Sequence, residues 1–373
     1  MKQGWEIKKL GDIILENKKS ILKSKGNEEG EYPFFISGKK VKTYNKSIID
    51  GYNIYLPTGG NFYVHFYEGK ASYSTDTWSI KTKNNTDIKY FYFFLLLNQE
   101  YINEKHFKGA TIKHLQKNDF REIEIPLPPI EEQQRIVTIL DEVFQAVTKA
   151  KSYAEQNLKN AKELFESYLQ GVFENKGEGW DEKKLIEVCV LIMGQSPSGE
   201  TYNTDGIGTP LINGPVEFGK EPFSKTIMSK FTTDPTKYCK EGDLILCVRG
   251  STTGRINIAG FDACIGRGVA AIRYSKNQLW LNYFILSSRQ KIYNLGTGAT
   301  FPNVSGEILK NLLIPIPPLK AQQDIVKKFE SLSTETKKLE AIYQQKINDL
   351  EELKKSVLQK AFSGELKTDK LCV

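Results

Sequence analysis

Ile125-Pro126-Leu127-Pro128-Pro129, with Gln133-Gln134 just beyond it, returns as Ile314-Pro315-Ile316-Pro317-Pro318 with Gln322-Gln323, a shift of 189 residues. After each copy runs a stretch with no Pro and almost no Gly, patterned as a helix. So long a period does not describe a solenoid of small repeats; it describes a whole domain followed by one long helix, present twice. Each Pro-Pro pair ends an extended segment and starts the helix, because Pro is tolerated in a first helical turn and not later. A second match opens each repeat: Gly4-Trp5-Glu6 with Lys8-Lys9-Leu10, and Gly179-Trp180-Asp181 with Lys183-Lys184-Leu185, shifted by 175 residues. The shift grows from 175 to 189 across the globular segment, so the second segment holds fourteen more residues than the first. Divergent loops on a shared frame are what two binding surfaces with different targets show.

The helical stretches carry a heptad seam in the same phase. One runs Leu140, Val143, Val147, Ala150, Ala154, Asn157, Ala161, Leu164, Tyr168; the other Phe329, Leu332, Thr336, Leu339, Tyr343, Lys346, Leu350, Leu353, Val357. Small residues dominate the first seam and bulkier ones the second, so the two faces are expected to pair with each other, antiparallel, within one chain. Each helix, at about 1.5 Å per residue over roughly 40 residues, is on the order of 60 Å long. Asn157 and Lys346 either fix the register or sit at solvated edges. The expected fold class is α+β: two globular domains in tandem, separated by two long helices packed as an antiparallel coiled coil. The expected bounds are 1–129 and 174–318 for the domains, 130–173 and 319–366 for the helices, and 367–373 for a tail.

Among 373 residues, 39% are hydrophobic, enough for two real cores. The longest aromatic-apolar stretch, Tyr90 to Leu97, is far too short to span a bilayer, and Met1 to Trp5 lacks an apolar signal core, so the expectation is a cytoplasmic chain without membrane contact. Cys189, Cys239, Cys247, Cys264 and Cys372 nowhere form a close pair, which argues against a disulfide framework or a zinc site. The net charge of +7 leans modestly toward polyanions.

Both globular segments read as short strands followed by a helix. Tyr32–Ile36, Asn53–Leu56, Phe62–Tyr67 and Thr77–Lys81 are expected strands before a helix at Ile88–Leu97; Pro210–Asn213, Asp243–Arg249, Arg255–Ala259 and Gly268–Arg273 precede a helix near Leu279–Ser287. Matched loops follow the second strand of each set, Thr58-Gly59-Gly60-Asn61 and Arg249-Gly250-Ser251-Thr252-Thr253-Gly254-Arg255. Backbone N–H groups and hydroxyls in such a loop approach phosphate oxygens, and Arg forks onto guanine in the major groove; the alternative is a plain hairpin turn. Arg249, Arg255, Arg267, Arg273 and Arg289 all fall in the second segment, whereas the first has Arg121 near its end and depends on a basic-aromatic cluster of Lys39, Lys40, Lys42 and Tyr44. The two segments should therefore read different bases. Another matched loop, Gly109-Ala110-Thr111-Ile112-Lys113-His114 against Gly298-Ala299-Thr300-Phe301-Pro302-Asn303, precedes each Pro-Pro motif and serves either structure or base contact. Trp5 and Trp180 are expected core anchors.

Catalytic signatures are missing from the sequence. A methyltransferase acting on an exocyclic amine needs an Asn/Asp-Pro-Pro-aromatic loop, whereas each Pro-Pro here is flanked by aliphatic residues. There is no P-loop for ATP, and Gly296-Thr297-Gly298 does not open a dinucleotide site. On residues alone the chain is a recognition device. Two other classes stay open: a coiled-coil scaffold for two proteins, and the detached recognition part of a fused enzyme.

Taken together, the Gly-Trp starts, the Gly-Ala-Thr loops, Ile-Pro-hydrophobic-Pro-Pro with Gln-Gln, the heptad helices, and Leu169-Gln170 and Leu358-Gln359 ahead of Phe173 and Phe362 closely resemble the specificity subunit of type I restriction-modification systems. The resemblance covers essentially the whole chain. It implies that the globular units are target recognition domains, each reading one half of an interrupted double-stranded DNA site, and that the helices form a spacer whose length sets the gap. Gln195-Ser196-Pro197-Ser198-Gly199-Glu200-Thr201-Tyr202 resembles the family's lead-in to a recognition domain, which adds Gln195 and Ser196 to the DNA-binding candidates; the first half has Glu16-Asn17-Lys18-Lys19-Ser20 there instead. By the same resemblance no catalytic, metal or cofactor site belongs to this chain. Two methyltransferase subunits would carry S-adenosylmethionine, and restriction subunits would carry ATP and Mg. The Leu-Gln-x-x-Phe ends and exposed helix flanks are the expected docking surfaces for the methyltransferase subunits.

Overall fold

The computed structural model describes residues 3–25, 30–298 and 301–366. The expected tail at 367–373, with Cys372, lies outside the described residues. By packing, the chain forms two compact units, Met1–Gln156 with Tyr343–Val373, and Asn157–Ile342. Each unit thus contains one globular segment and half of each long helix.

The two sequence matches that frame each repeat are partners in space. Strand Glu6–Lys9 pairs antiparallel with Glu124–Leu127, placing Lys8 opposite Ile125; in the second unit Asp181–Lys184 pairs with Leu313–Ile316, placing Lys183 opposite Ile314. Pro126 and Pro315 donate no ladder bond, which a two-stranded ribbon tolerates. The long helices begin directly after the second proline, at Ile130 and Leu319, and run to Glu174 and Ser363.

The first Gln of each pair secures that junction. Gln133 is fully buried; its amide accepts from the Asp87 N–H at 2.8 Å and donates to the carbonyls of Pro128 and Asn85 at 2.8 and 3.1 Å. Gln322, equally buried, donates to Pro317 O at 2.9 Å. Gln133→Ala leaves a buried N–H and two carbonyls without this partner, and the expected loss is about 1–3 kcal/mol of stability, measurable by urea denaturation; an unchanged midpoint would mean that the prolines alone hold the helix start.

The units share a four-stranded antiparallel sheet in the same spatial order. In the first it runs Ile14–Glu16, Thr77–Thr82, Tyr52–Pro57, His65–Glu68; in the second Val190–Met193, Val269–Arg273, Leu244–Cys247, Ile256–Ile258. Each sheet feeds an apolar helix, Ile88–Leu97 capped by the Asp87 carboxylate and Gln278–Ser287 capped by the Asn277 amide. Phe62–Val64, expected as strand, is irregular: the strand starts at His65, because the Phe62 N–H donates to Asn103 Oδ1 at 2.9 Å while its ring packs beside Phe107 and Phe120.

A second sheet carries the divergence. Each has one parallel pair, Phe34–Phe35 with Ser72–Tyr73 and Leu211–Ile212 with Cys264–Ile265. Among the described residues this sheet has three strands in the first unit and five in the second, the parallel pair included. Most of the extra length lies between homologous strands, at residues 36–51 in the first unit and 213–243 in the second.

Helix packing corrects seven of the eighteen expected seam positions. Leu140, Val147, Ala154 and Ala161 are buried, as are Phe329 and Thr336, and Val143, Leu332, Tyr343, Leu350 and Val357 are half-buried. Ala150, Leu164, Tyr168, Leu339 and Leu353 are exposed, as are Asn157 and Lys346, which puts those two at solvated edges. The companion stripe lies one residue later, at Phe144, Lys151, Leu158 and Phe165, and at Ser333, Glu340, Ile347 and Lys354. Phe144 and Phe165 set this choice by packing on the domain helices, 5.1 Å from the Phe93 ring and 6.2 Å from Tyr283.

In each unit the helix halves pack antiparallel. Leu140 and Phe144 meet Val357, Leu358, Ala361 and Phe362 in the first core; Phe165, Leu169 and Phe173 meet Ile325, Val326 and Phe329 in the second. Lys151 pairs with Glu351, and the Lys354 ammonium lies 4.4 Å from the Phe144 ring centroid. The Leu-Gln-x-x-Phe ends are therefore not open docking surfaces. Leu169 and Phe173 are inside the second unit, against Trp280 and Phe284, and Leu358 and Phe362 inside the first, against Tyr90 and Phe94. Every domain is gripped by the start of its own helix and the end of the other. Trp5 is buried and Trp180 packs edge-on against Trp280.

Candidate nucleic-acid interface

In the second unit, the C-terminal ends of four strands open onto one cleft. The ends of Val190–Met193, Thr209–Ile212, Leu244–Cys247 and Ala263–Ile265 lead into Ser196, Asn213, Arg249 and Arg267, which line an open space of about 860 Å³ with Pro197, Tyr202 and Gly268. The floor is close-packed. A Cβ on Gly266 would stand 1.9 Å from Asn213 Oδ1, and one on Gly268 would stand 2.6 Å from Asn213 O, so this chain crossing requires glycine on both sides of Arg267. Ser196 Oγ accepts from the Arg267 N–H at 3.1 Å and thereby ties the lead-in segment to that crossing. Thr236 Oγ1 donates to Gln195 O, leaving the Gln195 side chain exposed at the rim.

Of the five arginines in this segment, three are committed to the fold. Arg273 forks onto the buried Asp243 carboxylate at 2.6 and 2.7 Å. Arg289 donates to Gly254 O at 2.9 Å. Arg255 donates to Gly219 O at 3.1 Å over the Phe218 ring, so its expected role as a base reader gives way to holding the 218–219 chain in place. Arg249 and Arg267 are exposed, and neither guanidinium bonds to another described residue. These are the two forks free to read a ligand.

The Arg249–Arg255 loop is a hairpin turn, closed by Gly254 N–H to Cys247 O at 2.9 Å, with Gly250 and Gly254 both at φ 86. The turn presents Arg249 and Ser251 outward and leaves Thr252 half-buried. Beside it lies the hairpin of Thr297 and Asn303, and a single antiparallel bridge joins Arg249 to Asn303. The two loops that the sequence marked separately are thus one surface.

The first unit repeats this arrangement with different chemistry. Gly59 bridges to His114, whose Nδ1 donates to Thr58 O at 3.3 Å, and Gly60 N–H donates to Lys113 O at 2.9 Å. Through the sheet registers Gly59 corresponds to Arg249, His114 to Asn303, and Thr75 to Arg267. The positions of both free arginines are therefore uncharged here. Thr58 Oγ1 is bound to Asp76 O at 2.9 Å, and Asn61 is exposed. Lys39, Lys40 and Lys113 are exposed, with no side-chain partner among the described residues. Lys42 instead donates to the carbonyls of Ser24 and Lys25 at 2.9 and 3.1 Å, and Tyr44 packs on Phe34, which makes both part of the scaffold. Arg121 is held by Glu16 and Asn118. Burial keeps the His65 imidazole below its ordinary range, and its Nε2 lies 3.2 Å from Gly38 O.

Tyr202 and Asn213 line the cleft although neither was marked for binding from sequence. Tyr202 ends the lead-in segment and Asn213 ends an expected strand; their strands meet through antiparallel pairing of both with Phe231–Thr232, which no local pattern announces. Among the described residues no group of three or more His, Cys, Asp or Glu is placed to hold a metal ion, and no helix is long and apolar enough to cross a membrane.

A sequence profile for the type I restriction modification DNA specificity domain matches residues 2–157 and 177–352. The chain belongs to this family. It is similar to the type I restriction enzyme MjaVIII specificity subunit of Methanocaldococcus jannaschii, 26% identical over 99% of this chain and 94% of the relative. Among solved structures it matches a chain reported under "Structural basis underlying complex assembly and conformational transition of the type I R-M system", with TM-score 0.79 and 25% identity over 98% of this chain and 99% of the other. It also shares the fold of the HsdS subunit from Thermoanaerobacter tengcongensis, with TM-score 0.66 and 24% identity over 98% of both chains. Family membership makes this specificity subunit the non-catalytic, DNA-sequence-recognising component of a type I restriction-modification complex.

Proposed function

We propose that the chain recognises a bipartite, interrupted duplex DNA target, each unit reading one half. The observation that carries this reading is the repeated edge: in both units the same paired loops stand at the same strand ends, with free arginines in one and free lysines in the other. Arg249 and Arg267 read bases in the second half-site with Ser196, Gln195 and Asn303 beside them; Thr58, Asn61, His114, Lys39, Lys40 and Lys113 serve the first. Two methyltransferase subunits and the restriction subunits assemble on this chain in the cytoplasm, and S-adenosylmethionine, ATP and Mg act in those partners. Two half-site readers on one chain bind together more tightly than either alone, since the second engagement is intramolecular. Co-expression with the neighbouring methyltransferase, followed by genome-wide mapping of methylated adenine, tests the reading. A split motif with a constant gap is expected; a continuous motif, or methylation that does not depend on this chain, would overturn it.

A further inference from the structure

The hairpin beside each reading loop carries one apolar residue that the reading above does not use. In the first unit Lys108 pairs with His114 and Phe107 with Leu115, leaving Gly109 to Lys113 as the turn; in the second, Thr297 pairs with Asn303. The turns share one backbone device. Gly109 and Gly298 sit at φ 151 and φ 141, and a Cβ on either would stand 2.3 or 2.4 Å from the carbonyl oxygen of the residue three positions on, Ile112 or Phe301. Only glycine admits so close a backbone approach, and it sets Ile112 and Phe301 at corresponding places, three residues on. Both are large, apolar and open to solvent, Ile112 at 61% and Phe301 at 53% exposure. Ala299 and Thr300 lie outside the described residues.

A lone exposed aliphatic side chain is ordinary on a protein surface. The same position filled by Ile in one unit and Phe in the other, on hairpins of one register in units whose second sheets diverge, is not accounted for in that way. Polar residues surround each tip: Lys113 and His114 follow Ile112, while Asn303, bridged to Arg249, follows Phe301, and Thr253 Oγ1 donates to Pro302 O at 3.0 Å. An apolar side chain set among groups suited to phosphates and base edges matches the apolar wedges that enter a base-pair step and partly unstack it.

We propose that Ile112 and Phe301 are such wedges, each entering one base-pair step of the DNA half-site that its own unit reads. The inference rests on the DNA-recognition reading. Its test uses the assembled complex of this chain with its methyltransferase subunits, and duplexes carrying the mapped motif with 2-aminopurine placed, one position at a time, everywhere except the methylated base. The wild-type complex is expected to raise the fluorescence at one step in each half-site. Ile112→Ala abolishes the rise in the first half-site only and Phe301→Ala in the second only, while Ile112→Leu and Phe301→Leu retain it, and the methylated motif stays the same in all four. Specific binding by wild type with no rise at any position, or a rise that survives both alanine variants, would overturn the wedges and leave the recognition reading intact. A changed motif would overturn them in favour of base reading, and failure of the wild-type complex to bind the duplex would overturn both proposals.

Discussion

Arg249→Ala, in a chain co-expressed with its methyltransferase, is expected to relax the methylated motif at one base pair of one half-site and leave the other half-site unchanged. The guanidinium stands on the cleft rim with no partner among the described residues, and a bidentate Arg–guanine contact carries about 1–3 kcal/mol of discrimination. Arg267→Ala should relax a second position in that same half, because both forks line one cleft. Arg255→Ala is the internal comparison: its guanidinium is already bound to Gly219 O, so the variant should lower stability and keep the motif. Motif mapping and duplex binding at a fixed salt concentration measure the effect. A uniform loss across all sequences in Arg249→Ala would demote this side chain to a phosphate contact.

Phe173→Ala and Phe362→Ala are expected to be the most destabilising single changes at the helix ends, by about 3–5 kcal/mol each, the range for a large aromatic removed from a core that does not collapse. Phe173 lies 9% exposed among Trp280, Phe284 and Phe329, and Phe362 lies 8% exposed against Tyr90 and Phe94. The effects should separate by unit although both residues end a helix that follows the opposite domain: hydrogen exchange should rise in the second unit for Phe173→Ala and in the first for Phe362→Ala. Leu164→Ala, on the exposed side of its helix, should change stability by no more than about 0.5 kcal/mol. Were Phe173→Ala and Leu164→Ala equally mild, the end of the first helix would not be a core element of the second unit.

The Leu-Gln-x-x-Phe ends show where local reasoning stopped. The family resemblance marks them as docking surfaces for partner subunits, which requires their apolar residues to be exposed. Their partners, Trp280 and Phe284 in one case and Tyr90 and Phe94 in the other, lie more than a hundred residues away, and no periodicity encodes that distance. The seam shows a subtler form of the same limit. Val143 and Phe144, like Leu164 and Phe165, offer two apolar neighbours at steps of three and four, so one helix alone supports either stripe. The rings of Phe93 and Tyr283 on the domain helices decide for the later one.

Among the candidate binding residues, residue type was legible and availability was not. Five arginines in the second segment mark it as the richer in forked donors, but which of them are free depends on Asp243, Gly219 and Gly254, whose groups arrive from separate strands and loops. The lysine cluster of the first unit divided in the same way, with Lys39 and Lys40 free and Lys42 bound to two carbonyls.

Duplication, helix starts at Pro-Pro, the succession of the main strands and the extra length of the second unit were all readable along the chain, because turn chemistry, side-chain period and repeat spacing act between near neighbours or identical segments. The exchange of helix ends between domains, the cleft at four strand ends and the division of arginines into bound and free exist only once distant segments meet. Burial and hydrogen-bond satisfaction are properties of that meeting, and they depend on which groups share a volume rather than on which follow one another.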